Sequence, residues 1–214
     1  MPMKDSLTVY RKKRDFSKTR EPEGKKRATS GKKPLYVIQK HDASRLHYDL
    51  RLEIDGALKS WVVPKGPSTS PKEKRLAVLT EDHPMEYANF EGVIPEGEYG
   101  AGTIIVWDRG RYRNLKKDAK GQEVPMDKCF KKGRIEIWLQ GKKLKGGFAL
   151  VRFRGKNWLL IKMRDKEAND KKNIVKSSPK SVKSQKTVEQ VKRAKTRGKS
   201  VKTSKRKRTA KKAA

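Results

Sequence analysis

Apolar and polar residues alternate along Leu46-His-Tyr-Asp-Leu-Arg-Leu-Glu-Ile54, the period-two pattern of a strand with one buried face. Asp55-Gly56 follows, a dipeptide suited to a two-residue hairpin turn, and 57–63 reads as the partner strand, stopped by Pro64 and Gly66. Further short strands are predicted at 75–80, 103–107, 134–139, 148–153 and 158–163. Turns are expected at Asp108-Arg-Gly110, Gly141-Lys-Lys and Arg154-Gly-Lys-Asn157. Helical patterning is confined to 84–90, where Pro84 suits a first helical position, and to a weaker stretch at 126–130. Many short strands at close spacing predict a mainly β fold, a small β-barrel of short antiparallel strands with a few short helices.

Charge divides the 214 residues into three parts. Lys and Arg number 57 against 24 Asp and Glu, a formal net charge of +33, which calls for a polyanionic partner. Residues 171–214 hold 18 Lys and Arg and one acid, Glu189, with no aromatic residue and no Leu. Such a stretch cannot bury enough apolar surface to offset the entropy of ordering it. Thirteen of the 15 aromatic residues lie between Tyr36 and Trp158, so the core belongs there. The expected organisation is a basic N-terminal arm at 1–34, a barrel domain at 35–165 and a disordered Lys/Arg-rich tail at 166–214. The tail reads as a nonspecific nucleic-acid tether, since phosphate neutralisation needs charge density but no fold. No apolar run approaches the ~20 residues of a membrane span, and 1–14 has no apolar signal core. A soluble intracellular protein is expected. The single Cys129 excludes an intrachain disulfide framework and a Cys-based zinc finger.

All three histidines fall within 43 residues. Strand geometry places His47, Asp49, Arg51 and Glu53 on one face and Tyr48, Leu50 and Leu52 on the other. Imidazole beside carboxylate offers ligands for Mn²⁺, Fe²⁺, Co²⁺ or Zn²⁺, and an adjacent Arg offers a planar fork for phosphate. A solvated strand face is the bland alternative, made less attractive by His41 nearby. A second motif, Glu81-Asp-His83-Pro84-Met-Glu-Tyr87, could place an imidazole and a phenol at one edge of a short helix, where both can donate to phosphate oxygens. Gly97-Glu-Tyr-Gly100-Ala-Gly102 precedes a β-branched run rather than a helix, so it reads as a tight turn and not a dinucleotide loop. Ser44, Ser60 and Cys129 show no acid–base partner, which argues against nucleophilic Ser or Cys catalysis. Lys65 is followed by Gly66-Pro67 and so lacks the motif of a nucleotidyl-transfer lysine.

These motifs together resemble the 3′-phosphoesterase domain of bacterial DNA ligase D, which also occurs in free-standing form. The resemblance rests on Arg14-Asp-Phe-Ser-Lys-Thr-Arg-Glu-Pro22, Tyr36-Val-Ile-Gln-Lys-His-Asp-Ala-Ser-Arg-Leu-His-Tyr-Asp-Leu-Arg-Leu-Glu53, Trp61-Val-Val-Pro-Lys-Gly-Pro67, Glu81-Asp-His-Pro84, Phe90-Glu-Gly-Val-Ile-Pro-Glu-Gly-Glu-Tyr-Gly-Ala-Gly102, Trp107-Asp108 and Trp158-Leu-Leu-Ile-Lys162. It covers about 10–165 and leaves the basic tail outside, with no counterpart of the family's polymerase and ligase modules. The resemblance implies removal of a 3′-terminal ribonucleoside, hydrolysis of the remaining 3′-phosphate, and a role in end-joining repair. It implies His41, His47 and Asp49 as metal ligands, with Mn²⁺ favoured and Co²⁺ or Zn²⁺ compatible. Arg51, His83 and Tyr87 would contact the reacting phosphate. Gln39, Lys65, Arg75 and Glu81 would support them, together with Arg14, Asp15 and Glu21 from the arm. DNA 3′ ends would be the substrate, Ku and a separate ligase or polymerase the partners, and a monomer in the nucleoid-associated cytoplasm the working form. Two rivals remain, a noncatalytic histone-like DNA-binding protein and a nonhaem iron oxygenase built on His47-x-Asp49.

Overall fold

The computed structural model describes residues 6–24 and 33–194. Nine strands follow in chain order: β1 (Leu35–Asp42), β2 (Leu46–Ile54), β3 (Ala57–Val63), β4 (Lys74–Leu79), β5 (Gly92–Ile94), β6 (Gly102–Asn114), β7 (Arg134–Gly141), β8 (Lys145–Arg154) and β9 (Asn157–Lys162). All pairings are antiparallel, in the order β1-β2-β3-β4-β9-β8-β7-β6-β5, and β1 pairs back onto β6. Eight strands therefore close into a barrel, and β5 hangs on β6. Closure satisfies every interior edge, as the short alternating strands predicted. Asp55 and Gly56 both adopt positive φ, 52° and 73°, the backbone of the expected hairpin turn between β2 and β3.

One face of each strand fills the barrel. Tyr36, Ile38, Tyr48, Leu50, Leu52, Trp61, Trp107 and Trp158 are fully or almost fully buried there. Phe130, on α2 (Met126–Lys132; α1 is Thr8–Lys12), stacks on Trp158 at 5.7 Å, so the predicted weak helix packs into the core. The opposite face of β1, β3 and β6 supports a second cluster on the outside of the barrel, containing Val37, Leu58, Ile104 and Val106. Tyr10 from the N-terminal arm and Tyr87 from a 3-10 helix at Met85–Asn89 complete it. Pro84 caps that helix from an extended conformation instead of entering it.

Two expectations change. Asp108-Arg-Gly110 does not turn the chain, because β6 runs through it with a bulge against β1 between Ile38 and Gln39. Asp108 instead accepts from the Tyr36 hydroxyl and from the amides of Lys142, Lys143 and Leu144, shaping the β7–β8 turn. Gly110 serves close strand approach, since a Cβ there would meet the Gln140 carbonyl.

The second change is at the C-terminal side, where 166–194 is not a free tail. Ile174, on α3 (Ile174–Ser177), Val182 and Val188 are buried, and the Trp107 indole donates to the Ser178 carbonyl at 2.7 Å. The Val182 amide donates to Val106, and Lys192 reaches Asp42 at 3.8 Å. This strap runs from the barrel core to the outer face. Residues 195–214, the rest of the expected tail, lie outside the described residues, as do 25–32 of the arm.

Candidate active site

The register of β1, β2 and β3 assembles the polar face. His41 pairs with His47, Gln39 with Asp49, Asp49 with Val62, and Arg51 with Ser60. Because side chains alternate, these residues share the outer face, while the inner face packs the core. Potential ligand atoms of His41, His47 and Asp49 all lie within 4.8 Å of one another. His41 Nδ1 is 3.7 Å from Asp49 Oδ2, and His47 Nε2 is 3.7 Å from Asp49 Oδ1. Those separations are too long for hydrogen bonds and suit donors that share an ion.

The donor set fits a divalent metal on two further grounds. His47 Nδ1 lies 2.9 Å from the Arg45 carbonyl, which directs the Nε2 lone pair to the cluster. His41 Nε2 is buried and makes no hydrogen bond. Burial alone would raise the Asp49 carboxyl, but Arg51 and the two imidazoles outweigh it and hold it below the usual carboxylate range. Gly102 is required beside His41: its φ is +143°, and a Cβ would lie 2.4 Å from the Asp42 carbonyl and 2.9 Å from His41 Nε2.

Behind the triad, the Arg51 guanidinium is buried and engaged on all sides. Its Nε donates to Gln39 at 2.8 Å, Nη1 to Ser60 at 2.8 Å and Nη2 to Asp49 at 3.2 Å. Nη1 also lies 2.9 Å from His83 Nδ1. On the other side of that imidazole, Arg14 Nη2 is 3.3 Å from Nε2. Burial, then the Arg51 and Arg14 charges, push the His83 pKa well down, so the ring is neutral between two cations. Arg14 is held by Glu21 at 2.9 Å and Glu81 at 3.3 Å, and the Tyr87 hydroxyl donates to Glu21 at 2.9 Å.

The fold thus brings together Gln39, His41, His47, Asp49, Arg51, Glu81, His83, Arg14, Glu21 and Tyr87. Tyr87 faces Glu21 with its hydroxyl and His83 with its ring, at 4.7 Å. Asp15, Lys65 and Arg75 stand apart. Asp15 bonds Ser17 and Lys18, Lys65 is exposed in the turn after β3, and Arg75 pairs with Glu73. Sequence reasoning set Ser60 aside for want of an acid–base partner, which His83 in fact stands close enough to be, and did not single out Tyr10. Ser60 Oγ accepts from Arg51 and lies 3.2 Å from His83 Nδ1, but it donates to the Leu58 carbonyl and is buried, so it orients the guanidinium. Tyr10 packs edge-on against His83 at 5.0 Å and lies under Arg14 at 3.9 Å.

Residues 39–152, more than half of the chain, match the DNA ligase D 3′-phosphoesterase domain family. The chain belongs to that family. It is 50% identical over 195 residues to the multifunctional non-homologous end joining protein LigD of Pseudomonas aeruginosa, covering 88% of this chain and 22% of that protein. The LigD of Mycolicibacterium smegmatis is 48% identical over 166 residues, 78% of this chain and 22% of that protein. A Mycobacterium tuberculosis relative is 43% identical over 166 residues. The chain spans about a fifth of the length of these curated relatives. Within the 3′-phosphoesterase match lie the metal triad, Arg51, Glu81, His83 and Tyr87, whereas Arg14 and Glu21 precede it.

Proposed function

We propose that this 3′-phosphoesterase-family chain heals DNA 3′ ends before joining. Hydrolysis of the terminal phosphodiester would release a 3′ ribonucleoside and leave a 3′-phosphate. Hydrolysis of that monoester would then leave a 3′-OH. The observation that carries the reading is the triad of His41, His47 and Asp49 backed directly by the buried Arg51–His83–Arg14 row.

A divalent ion, Mn²⁺ in our reading with Co²⁺ or Zn²⁺ compatible, would supply Lewis acidity toward the phosphoryl group. The protein's part is positional and electrostatic. Arg51, fixed by Gln39, Ser60 and Asp49, presents a preorganised positive charge at the inner edge of the triad, where charge grows on nonbridging oxygens. Arg14 does the same from the arm. His83 is held neutral by burial and then by those two cations; an arriving phosphate anion would offset their field, so the ring could take up a proton from the attacking water and deliver it to the leaving oxygen. Tyr87 and Glu21 orient Arg14, while Asp15, Lys65 and Arg75 enter the proposal on family membership alone. The end-joining role, Ku and ligase or polymerase partners, and a nucleoid-associated site of action belong to the same proposal. Among the described residues no helix is long and apolar enough to cross a membrane.

The test is release of a 3′-terminal ribonucleoside, and of phosphate from a 3′-phosphate end, on a primer–template with and without Mn²⁺. Asp49→Ala removes the only carboxylate of the triad and should lose both products, with partial recovery at excess Mn²⁺. Full activity of chelator-treated Asp49→Ala overturns the metal assignment. DNA binding without any product under any ion favours the alternative, a noncatalytic histone-like DNA-binding protein, which the +33 charge also accommodates.

A further inference from the structure

Tyr99 is a half-exposed aromatic ring at the mouth of this site, with 47% of its surface open. It stands on the turn between β5 and β6, whose Gly97 and Gly100 take positive φ. Three residues on, Gly102 lies against His41, which pins one end of the turn to the metal triad. The other side is pinned by charge. Lys13 Nζ donates to the Tyr99 hydroxyl at 3.1 Å and pairs with Glu81 at 3.1 Å, while the hydroxyl reaches Glu81 at 3.5 Å. Lys13 Nζ lies 4.5 Å from the ring centroid and Arg14 Cζ 5.4 Å from it. Both cations pair with Glu81, and Arg14 continues to His83. The turn therefore reaches His41 at Gly102 and Glu81, Lys13 and Arg14 at Tyr99, with about half of the Tyr99 surface exposed to solvent.

We propose that Tyr99 is a stacking platform for the 3′-terminal nucleobase of the bound strand, seating the terminal nucleoside while its phosphate meets Arg51 and Arg14. The ligand class is a nucleobase of any sequence, because every base has a π-face and about half of this side chain is open to receive one. This inference rests on the 3′-end reading above and adds what holds the terminal residue in place.

The experiment uses the full chain with chelator present, so that no turnover occurs, and a primer–template labelled away from the 3′ end. Binding is compared for a 3′-terminal ribonucleotide and for the same end lacking its terminal base. The parent protein should bind the base-bearing end roughly 5- to 100-fold more tightly. Tyr99→Leu should lose that preference and Tyr99→Phe should keep it. Phe153→Leu, at an exposed aromatic on the β8–β9 hairpin, should change neither affinity. Retention of the preference by Tyr99→Leu, or its loss in Tyr99→Phe, overturns the stacking role, as does a parent protein that trims 3′ ends with Mn²⁺ yet shows no preference. A parent that trims no 3′ end overturns the underlying reading instead.

Discussion

At Arg51, three hydrogen bonds and a close imidazole contact converge on one guanidinium, and each partner comes from a different segment of chain. Its positive charge lies beside Asp49 and would repel a cation held there, so removing it should not weaken metal binding. Arg51→Ala is expected to bind Mn²⁺ at least as well as the parent by calorimetry, yet to lose on the order of 100-fold in single-turnover rate. Arg51→Lys should rescue poorly, since a point charge cannot span Gln39, Ser60 and Asp49 together. His83→Ala should likewise keep the metal and lose turnover, and loss of Mn²⁺ binding there would make His83 a ligand. His83 also sets a pH limit. An unfolded histidine titrates at about 6.5, whereas burial and the two arginines hold folded His83 well below that. The unfolded chain therefore takes up this proton first, so stability is complete above pH about 6.5 and declines as pH falls below it. In chelator, His83→Gln should flatten the fall in melting temperature between pH about 7.5 and about 5.

The β2–β3 hairpin could be read in full because one local pattern, alternation ending in Asp-Gly, specifies both strands and their turn. The same alternation put His47, Asp49 and Arg51 on one face, so most of the triad was legible. Tyr10 was not, because its place depends on the arm meeting the row from outside, and the role of Ser60, opposite Arg51 in the hairpin register, was hidden because His83 arrives from a distant segment. Gly110 looked like turn punctuation, but its reason is close approach of the Gln140 carbonyl, which only the register reveals. The strap was hidden by composition. Ile174, Val182 and Val188 are spread among lysines without a helical or strand period, yet all three are buried, Ile174 in the inner cluster and Val182 in the outer one. At roughly 1.5–3 kcal/mol per buried aliphatic side chain, losing all three removes a large part of an ordinary domain's stability of about 5–15 kcal/mol. A chain ending at 165 should therefore unfold at much lower urea than the parent, and one ending at 194 at the same concentration. Equal midpoints for the two truncations would show that the strap contributes nothing.

On the scale of the molecule, the arm and the strap come from opposite ends of the described chain and flank one face. Lys13 and Arg14 stand at Glu81, and Lys192 stands at Asp42, beside His41. In sequence, residues 195–214 add ten Lys and Arg and no acid after this segment. The chain ending at 194 should bind duplex DNA more weakly at low salt, with a salt dependence shallower by about 0.9 log unit per log salt for each phosphate that the shortened protein no longer neutralises. Its single-turnover rate at saturating protein should match the parent's, and a folded but inert truncation would contradict that division of labour. The two separate apolar clusters carry a further consequence. Tyr10 packs only into the outer one, while the barrel closes around the inner one. The arm can therefore lift as a small cooperative unit while the barrel stays shut, so its amides should exchange with solvent long before those of β2. Each such opening withdraws Arg14 from His83 and so relaxes part of the burial, and one of the two cationic fields, that keep the imidazole neutral.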